Sequence, residues 1–570
     1  MDKLLRINMN RKKAEFETVP ESMVLFGGRG TVAAILSKEV DPACEALGPD
    51  NKLIICPGLM GDTSAPCSGR ISIGGKSPLT GTIKEANAGG MAAKKLAALD
   101  IYAIVVEEIP QNDEKWSLLM LDDSGAKLLP ASKYIGMNNY ELVAQLRKDF
   151  GEDIATISIG QAGERGYLNS TVQMSDPEGR PARAAARGGL GALMGSKGIK
   201  AVVISTEQKV KAPYQDKAGF RTNSKAYSKA IMDNPVSGQG LPALGTAVLV
   251  NATNAQGVLP TNNFQKGCFE QAEAISGEHI AELQADRKGQ MTHRCSPGCV
   301  IQCSSVYHGP DSKYLTSGFE YETIGLMGSN CGIDDIDTVA LLDQMCDDLG
   351  IDTMETGVSI GVCMEAGKLQ FGDAKGAIAL VQEMKDNTYF GKILGQGTLA
   401  VGTHLGVKRI PVVKGQALAA YDPRGLKGTG VTYATSPMGA DHTAGNALGD
   451  PSVEPAKKEG QVALSTQLQV GMCLFDNLGM CIFSGFCLAA PENLQLLVNM
   501  VAARFGGEWD VDRLMGIAVQ TIAMEKAFNK KAGFTAKDDK LPDFFYVETL
   551  DSVDTVFDIT EEELKEAIPF

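Results

Sequence analysis

Several ordinary signals are missing from this chain, and each absence excludes something. Lysine and arginine total 54 against 69 aspartates and glutamates, a formal net charge of −15. No stretch gathers the basic residues into the stripe that a phosphate backbone requires. No segment offers the roughly 18 uninterrupted apolar residues of a membrane helix, and the opening MDKLLRINMNRKK lacks the apolar stretch of a secretion signal. Short-period repeats and low-complexity linkers are also absent. Together these predict a soluble, cytoplasmic protein that binds no nucleic acid.

What is present is a large core. At 570 residues, with 44% hydrophobic and 22% charged side chains, the chain exceeds what one core organises, and several domains are expected. Up to residue 206, short β-rich runs (IYAIVVEE, WSLLMLDD, KLLP, KAVVIST) alternate with Gly, Pro, Asp and Ser turns. From about residue 220 the apolar period becomes helical, as in Val339, Leu342, Met345 and Leu349. Two more buried helices are expected around Leu496–Phe505 and Leu514–Met524. Three parts follow: a β part over 1–206, then largely helical parts over 207–412 and 413–570.

Thirteen cysteines without a secretion signal point to metal binding or simple burial rather than disulfides. Cys44, Cys56, Cys67, Cys268, Cys331 and Cys363 are scattered singly and read as small buried hydrophobes. HRCSPGCVIQC places Cys295, Cys299 and Cys303 within nine residues, with Pro297 and Gly298 breaking any helix. An iron–sulfur cube takes four thiolates, commonly three local and one distant. Cys473, Cys481 and Cys487 are the candidates for the fourth. Zinc bound by the three thiolates and His293, or a chance grouping of core cysteines, are the alternatives.

One pattern, Asp-x-x-Gly-x-Asp/Cys, occurs twice: Asp347, Gly350 and Asp352, then Asp476, Gly479 and Cys481. Such an Asp accepts paired N–H bonds from a heterocycle edge, and the Gly permits close approach or positive φ. Each motif also reads as a helix C-terminus with a turn. GGLGALMGSK is not taken as a dinucleotide fingerprint, since no convincing strand precedes it and no acidic ribose partner follows.

Three clustered cysteines, then the first Asp motif, then the second ending in Cys, resemble the aldehyde ferredoxin oxidoreductase family. SGRISIGGKSPLTGTI, ANAGG, RAAARGGLGALMGSKGIKAVV, FEYETIGLMGSNCGID and GFTAKDDKLP extend the resemblance over nearly the whole chain. It implies an α+β fold, with an N-terminal β domain over a bis-pterin cofactor and two mainly α-helical domains. It implies tungsten in that cofactor, although the pterin sulfurs bind molybdenum as well, with Mg2+ bridging the pterin phosphates and a [4Fe–4S] cluster beside it.

By the same resemblance, Cys295, Cys299, Cys303 and Cys481 would ligate the cluster. Arg70, Asn87, Gly89, and Arg183 or Arg187 would contact the cofactor. Asp347, Gly350 and Asp352 would hold one pterin, Asp476 and Gly479 the other. The catalytic candidates are Glu320, Glu322 and His442, the His to polarise an aldehyde oxygen or move a proton and a Glu to activate water.

The implied reaction is oxidation of a small aldehyde to its carboxylate, with ferredoxin or a ferredoxin-like subunit taking the electrons. The alternatives are reduction of a carboxylate or aromatic thioester within a larger complex, and a cluster-only electron-transfer subunit. Two departures mark a divergent branch. The first cysteine gap is one residue longer than in the best-known members, and Thr443, Ala444 and Gly445 follow His442 where a basic residue is usual. No Glu-x-x-His pair supplies a dimer-bridging iron site, so the resemblance leaves the oligomeric state open.

Overall fold

The computed structural model describes residues 1–111 and 115–570. Two six-stranded sheets occupy the first 205 residues. The first runs in the order Lys13–Thr18, Lys3–Asn8, Ile101–Glu107, Leu53–Pro57, Ile71–Lys76 and Ile83–Ala88. The second runs Arg183–Ala185, Val172–Met174, Ile154–Ser158, Ile199–Ser205, Ser117–Asp122 and Gly125–Pro130. Each contains one parallel pair.

Alternation along the strands decides which faces meet. Leu5, Ile7, Ile55, Ile73 and Ile104 of the first sheet share one buried core with Leu119, Leu121, Ile157, Val202 and Ile204 of the second. The opposite face of the first sheet, with Leu4, Ile54 and Val105, is covered by Val32, Ile35 and Leu36 of the helix Gly28–Glu39 and by Phe528 of the helix Val511–Lys531. The last long helix of the chain is thus built onto the first domain.

Among the described residues, five α-helices interrupt the part expected to be sheet: Gly28–Glu39, Ala92–Ala98, Asn139–Phe150, Gln161–Glu164 and Leu190–Ser196. AAKKLAA is rich in the best helix former, and Asn139–Phe150 buries Leu142, Val143 and Leu146 on one face. GGLGALMGSK follows a three-residue strand, Arg183–Ala185, which pairs antiparallel at the edge of the second sheet. That is no parallel nucleotide-binding unit. Its glycines serve packing: a Cβ on Gly195 would lie 2.1 Å from the Gly163 carbonyl oxygen, and one on Gly191 would lie 2.4 Å from that of Thr171.

The rest of the chain is mainly helical, apart from a two-stranded sheet, Val412–Val413 with Gln416–Ala417, and a three-stranded sheet, Gln290–His293, Ser304–His308 and Tyr314–Ser317, that carries the clustered cysteines between its first two strands. Both Asp-x-x-Gly motifs end helices. Asp347 lies in the last turn of Ile336–Leu349 before Gly350 at φ 79°, and Asp476 lies in the last turn of Gln461–Leu478 before Gly479 at φ 68°. No helix among the described residues is long and apolar enough to cross a membrane.

Candidate functional site

The first motif helix ends beside the second sheet, where Thr171 N–H donates to Gly350 O at 2.9 Å, and the second motif helix ends beside the first sheet. Leu59 and Met60 donate to the carbonyls of Asn477 and Leu478, and Arg70 N–H donates to Gly479 O at 3.1 Å. Gly58 and Gly479 touch so closely that a Cβ on Gly58 would lie 2.1 Å from Gly479 Cα. Cys481 N–H donates to Cys67 O, and Cys67 N–H donates to Gly298 O, both at 2.9 Å. Cys67, expected to be inert, therefore couples the local cysteine loop to the distant cysteine.

The four predicted thiols converge. Cys295, Cys299 and Cys303 all act on one another electrostatically, and Cys481 acts on Cys295 and Cys303. Burial pushes the Cys481 thiol up to about 12 and holds Cys303 well above its usual range. Among the described residues, no three cysteine sulfurs lie within 4.8 Å of one another. One zinc ion, with Zn–S bonds near 2.3 Å, would hold tetrahedral sulfurs about 3.8 Å apart. His293, the alternative zinc ligand, instead places Nε2 2.8 Å from Glu178 Oε2. Gly89 leaves room on one side, where its Cβ would come 3.2 Å from Cys295 Sγ.

Two arginines, half-buried Arg70 and buried Arg183, face these thiols. Arg70 lies under the combined influence of Cys481, Cys295, Asp476 and Cys303, with Nε bonded to Asn87 Oδ1 at 2.5 Å. Arg183 faces Cys295, Asp176, Glu320 and Cys303, bonds Ser304 Oγ through Nη2, and keeps a buried Nε without a partner. Arg187 is fully engaged elsewhere. It bonds Asp352 at 3.2 Å and the carbonyls of Ala440 and Ala417 at 2.7 and 2.6 Å.

The acidic motif residues differ in the same way. Asp352 caps the helix Thr353–Glu365 through Met354 N–H and pairs with Arg187. Asp347 has one weak partner, Gln173 Nε2 at 3.3 Å, and burial, with the Asp343 charge beside it, holds its carboxyl well above the usual range. Asp343, one turn earlier on the same face, was not singled out in the sequence; burial pushes it up to about 7. Around the second motif, burial raises Asp476 to about 6 and Glu85 to about 8. Arg29 opposes the shift at Asp476 from 3.3 Å.

The catalytic candidates differ in their partners. His442 Nε2 is 3.1 Å from Glu322 Oε1, while Glu322 Oε2 accepts Ala420 N–H at 2.8 Å. The imidazole also packs beside the Tyr421 ring, centroids 5.7 Å apart. Glu320 is turned away, accepting the Thr246 hydroxyl at 2.6 Å, and burial raises its carboxyl. Behind His442, Asp441 receives Lys84 Nζ at 3.1 Å, and burial lowers that lysine.

Unpartnered buried polar atoms run through this junction: Glu85 Oε1, Gln173 Oε1, Arg183 Nε, Tyr433 Oη, His442 Nδ1 and Asn477 Oδ1. Native interiors rarely leave so many such groups unmet. Their donor and acceptor mix, beside arginines and carboxyls whose pKa burial raises, fits a large polar ligand with many hydrogen-bonding edges, which is the chemistry of a bis-pterin.

Comparison with known proteins gives the family. Residues 4–206 match the N-terminal domain of aldehyde ferredoxin oxidoreductase and residues 222–569 match its domains 2 and 3. The chain is 33% identical to the tungsten-containing aldehyde ferredoxin oxidoreductases of Pyrococcus furiosus and Thermococcus kodakarensis, over 96% of this chain and 92% of each relative. The aliphatic sulfonate oxidoreductase WOR-like subunit of Pyrococcus furiosus is 26% identical over 78% of the chain and 75% of its own length. The active-site complex BamBC of benzoyl coenzyme A reductase, solved with 1,5-dienoyl-CoA, shares the fold at a TM-score of 0.80 and 18% identity, covering 99% of this chain and 92% of that one. By both domain matches and a third of its residues, the chain is an oxidoreductase belonging to the aldehyde ferredoxin oxidoreductase family.

Proposed function

We propose that this enzyme oxidises a small aldehyde to its carboxylic acid at a tungsten bis-pterin centre with Mg2+ on the pterin phosphates, and that the electrons leave through a [4Fe–4S] cluster to ferredoxin or a ferredoxin-like partner. The observation that carries the reading is the Glu322–His442 pair, 3.1 Å apart, in which His442 Nδ1 is buried and unmet. A tungsten bis-pterin supplies, when bound, the two-electron redox centre that no amino-acid side chain offers.

The chain's own residues do the rest. Cys295, Cys299, Cys303 and Cys481 hold the cluster. Arg70, between these thiols and Asp476, binds anionic ligand groups, as does Arg183 through its open Nε. Asp347 and Asp476 receive pterin N–H donors, while Asp352 fixes Arg187 and the helix behind the site. Turning RCHO and water into RCOOH releases two protons and two electrons. Glu322 takes the proton of the attacking water, and His442 polarises the carbonyl oxygen and passes its proton outward.

Elemental analysis of anaerobically purified protein tests this first, together with aldehyde-dependent reduction of a viologen dye. About four irons and one tungsten per chain are expected for one cube and one pterin-bound metal. Zinc alone, or iron with neither tungsten nor molybdenum, would sink the proposal.

A further inference from the structure

His293 does not join the cysteines it precedes, and its surroundings explain why. It ends the strand Gln290–His293, 6% exposed, and faces the loop that follows the strand Val172–Met174. In that loop Asp176 Oδ1 accepts the N–H groups of Glu178 and Arg180 at 3.0 and 2.8 Å, which fixes the turn and aims the other carboxylate oxygen inward. Asp176, Glu178 and His293 each bring one ligand atom to within 4.8 Å of the other two.

The ligand atoms are also poorly used by the protein. Asp176 has a fully buried side chain, and its Oδ2 has no hydrogen-bond partner. The nearest cation, Arg180 Nη1, is 3.9 Å from it, beyond hydrogen-bond reach; that guanidinium lies over the Tyr314 ring, 4.5 Å from its centroid. His293 Nδ1 is likewise buried and unpartnered. An isolated buried carboxylate oxygen is costly, and the unmet Asp176 Oδ2 beside the His293 Nε2–Glu178 pair indicates something that satisfies it.

We infer that Asp176, Glu178 and His293 bind a divalent cation of the zinc type beside the cluster loop. One imidazole nitrogen and two carboxylate oxygens form a three-ligand set of the kind zinc accepts, with a fourth position for water. Bonds near 2.0–2.1 Å would open the 2.8 Å His293–Glu178 contact to about 3.3 Å, a shift of a few tenths of an ångström. Asp176 supplies the buried anchor, and half-exposed Glu178 leaves the solvent side open as the entry path. The cation would tie the Asp176–Arg180 turn to the segment that presents Cys295.

Anaerobic holoenzyme, freed of loose metal by brief chelation, would be titrated with Zn2+ while bound zinc and iron per chain are counted. One zinc is expected above the resident metals with iron unchanged. Asp176→Asn should weaken uptake at least 100-fold and Glu178→Gln at least 10-fold. If Asp176→Asn loses iron, the exposed Glu178 variant decides alone. No uptake by the native enzyme, uptake that displaces iron, or full uptake by Glu178→Gln would each overturn the assignment.

Discussion

At the residue scale, the Glu322–His442 pair separates the two glutamates that the sequence left equivalent. Glu322 is bonded toward His442 and Glu320 toward Thr246. Glu322→Gln is therefore expected to lower kcat for aldehyde oxidation by about 10²–10⁴, the usual worth of a positioned acid–base group, with tungsten and iron per chain unchanged. Glu320→Gln should act less, and the comparison is made by steady-state kinetics on metal-matched preparations. Arg183 and Arg187 separate similarly. Arg183→Lys, which removes an open Nε, should reduce retained pterin, whereas Arg187→Lys, which breaks bonds to Asp352, Ala417 and Ala440, should chiefly lower Tm. Motif residues were legible because their spacing is local. Asp343 was also legible in principle, four residues before Asp347 on one helix face. Cys67 and Glu85 carried no local signal, since their importance arises only when distant segments meet.

At the element scale, the helix Gln461–Leu478 depends on what its end touches. Both Asp-x-x-Gly motifs are helix stops, and under the proposed function the stop is what presents the Asp. Gly58→Ala would push a Cβ to 2.1 Å from Gly479 backbone atoms, so loop and helix end must part; loss of bound iron and a marked fall in Tm are expected. Gly471→Ala on the same helix meets nothing within 4 Å and should stabilise by about 0.5–1 kcal/mol. Equal effects of the two substitutions on iron content would refute the view that this contact presents Cys481. The helices of the β part were less legible, because on a sheet face their short apolar stripes resemble strand segments.

At the scale of the whole molecule, one ion pair joins the ends of the chain and reaches the site. Arg29 bonds Glu525 through both Nε and Nη2 at 2.8 Å, across 496 residues, and also contacts Asp476 at 3.3 Å. Both partners are at most 3% exposed. Removing one leaves a buried charge, so Glu525→Leu should cost about 3–5 kcal/mol, while Arg29→Met with Glu525→Leu should recover most of it. Stability and site should then part company. Asp476 already sits near 6 because of burial, with Arg29 holding it down. Without that guanidinium its folded pKa rises further, so its protonated form persists to higher pH. A carboxyl raised in the fold contributes stability fully below its unfolded value near 3.8 and loses it as pH climbs through the folded value. The cofactor-free double variant should therefore weaken between pH 6 and 8 more steeply than the cofactor-free native chain, as read by urea midpoints. The same variant should also retain less tungsten after gel filtration at pH 8. Recovered stability with undiminished tungsten and an unchanged pH slope would show that Arg29 is a fold clamp alone.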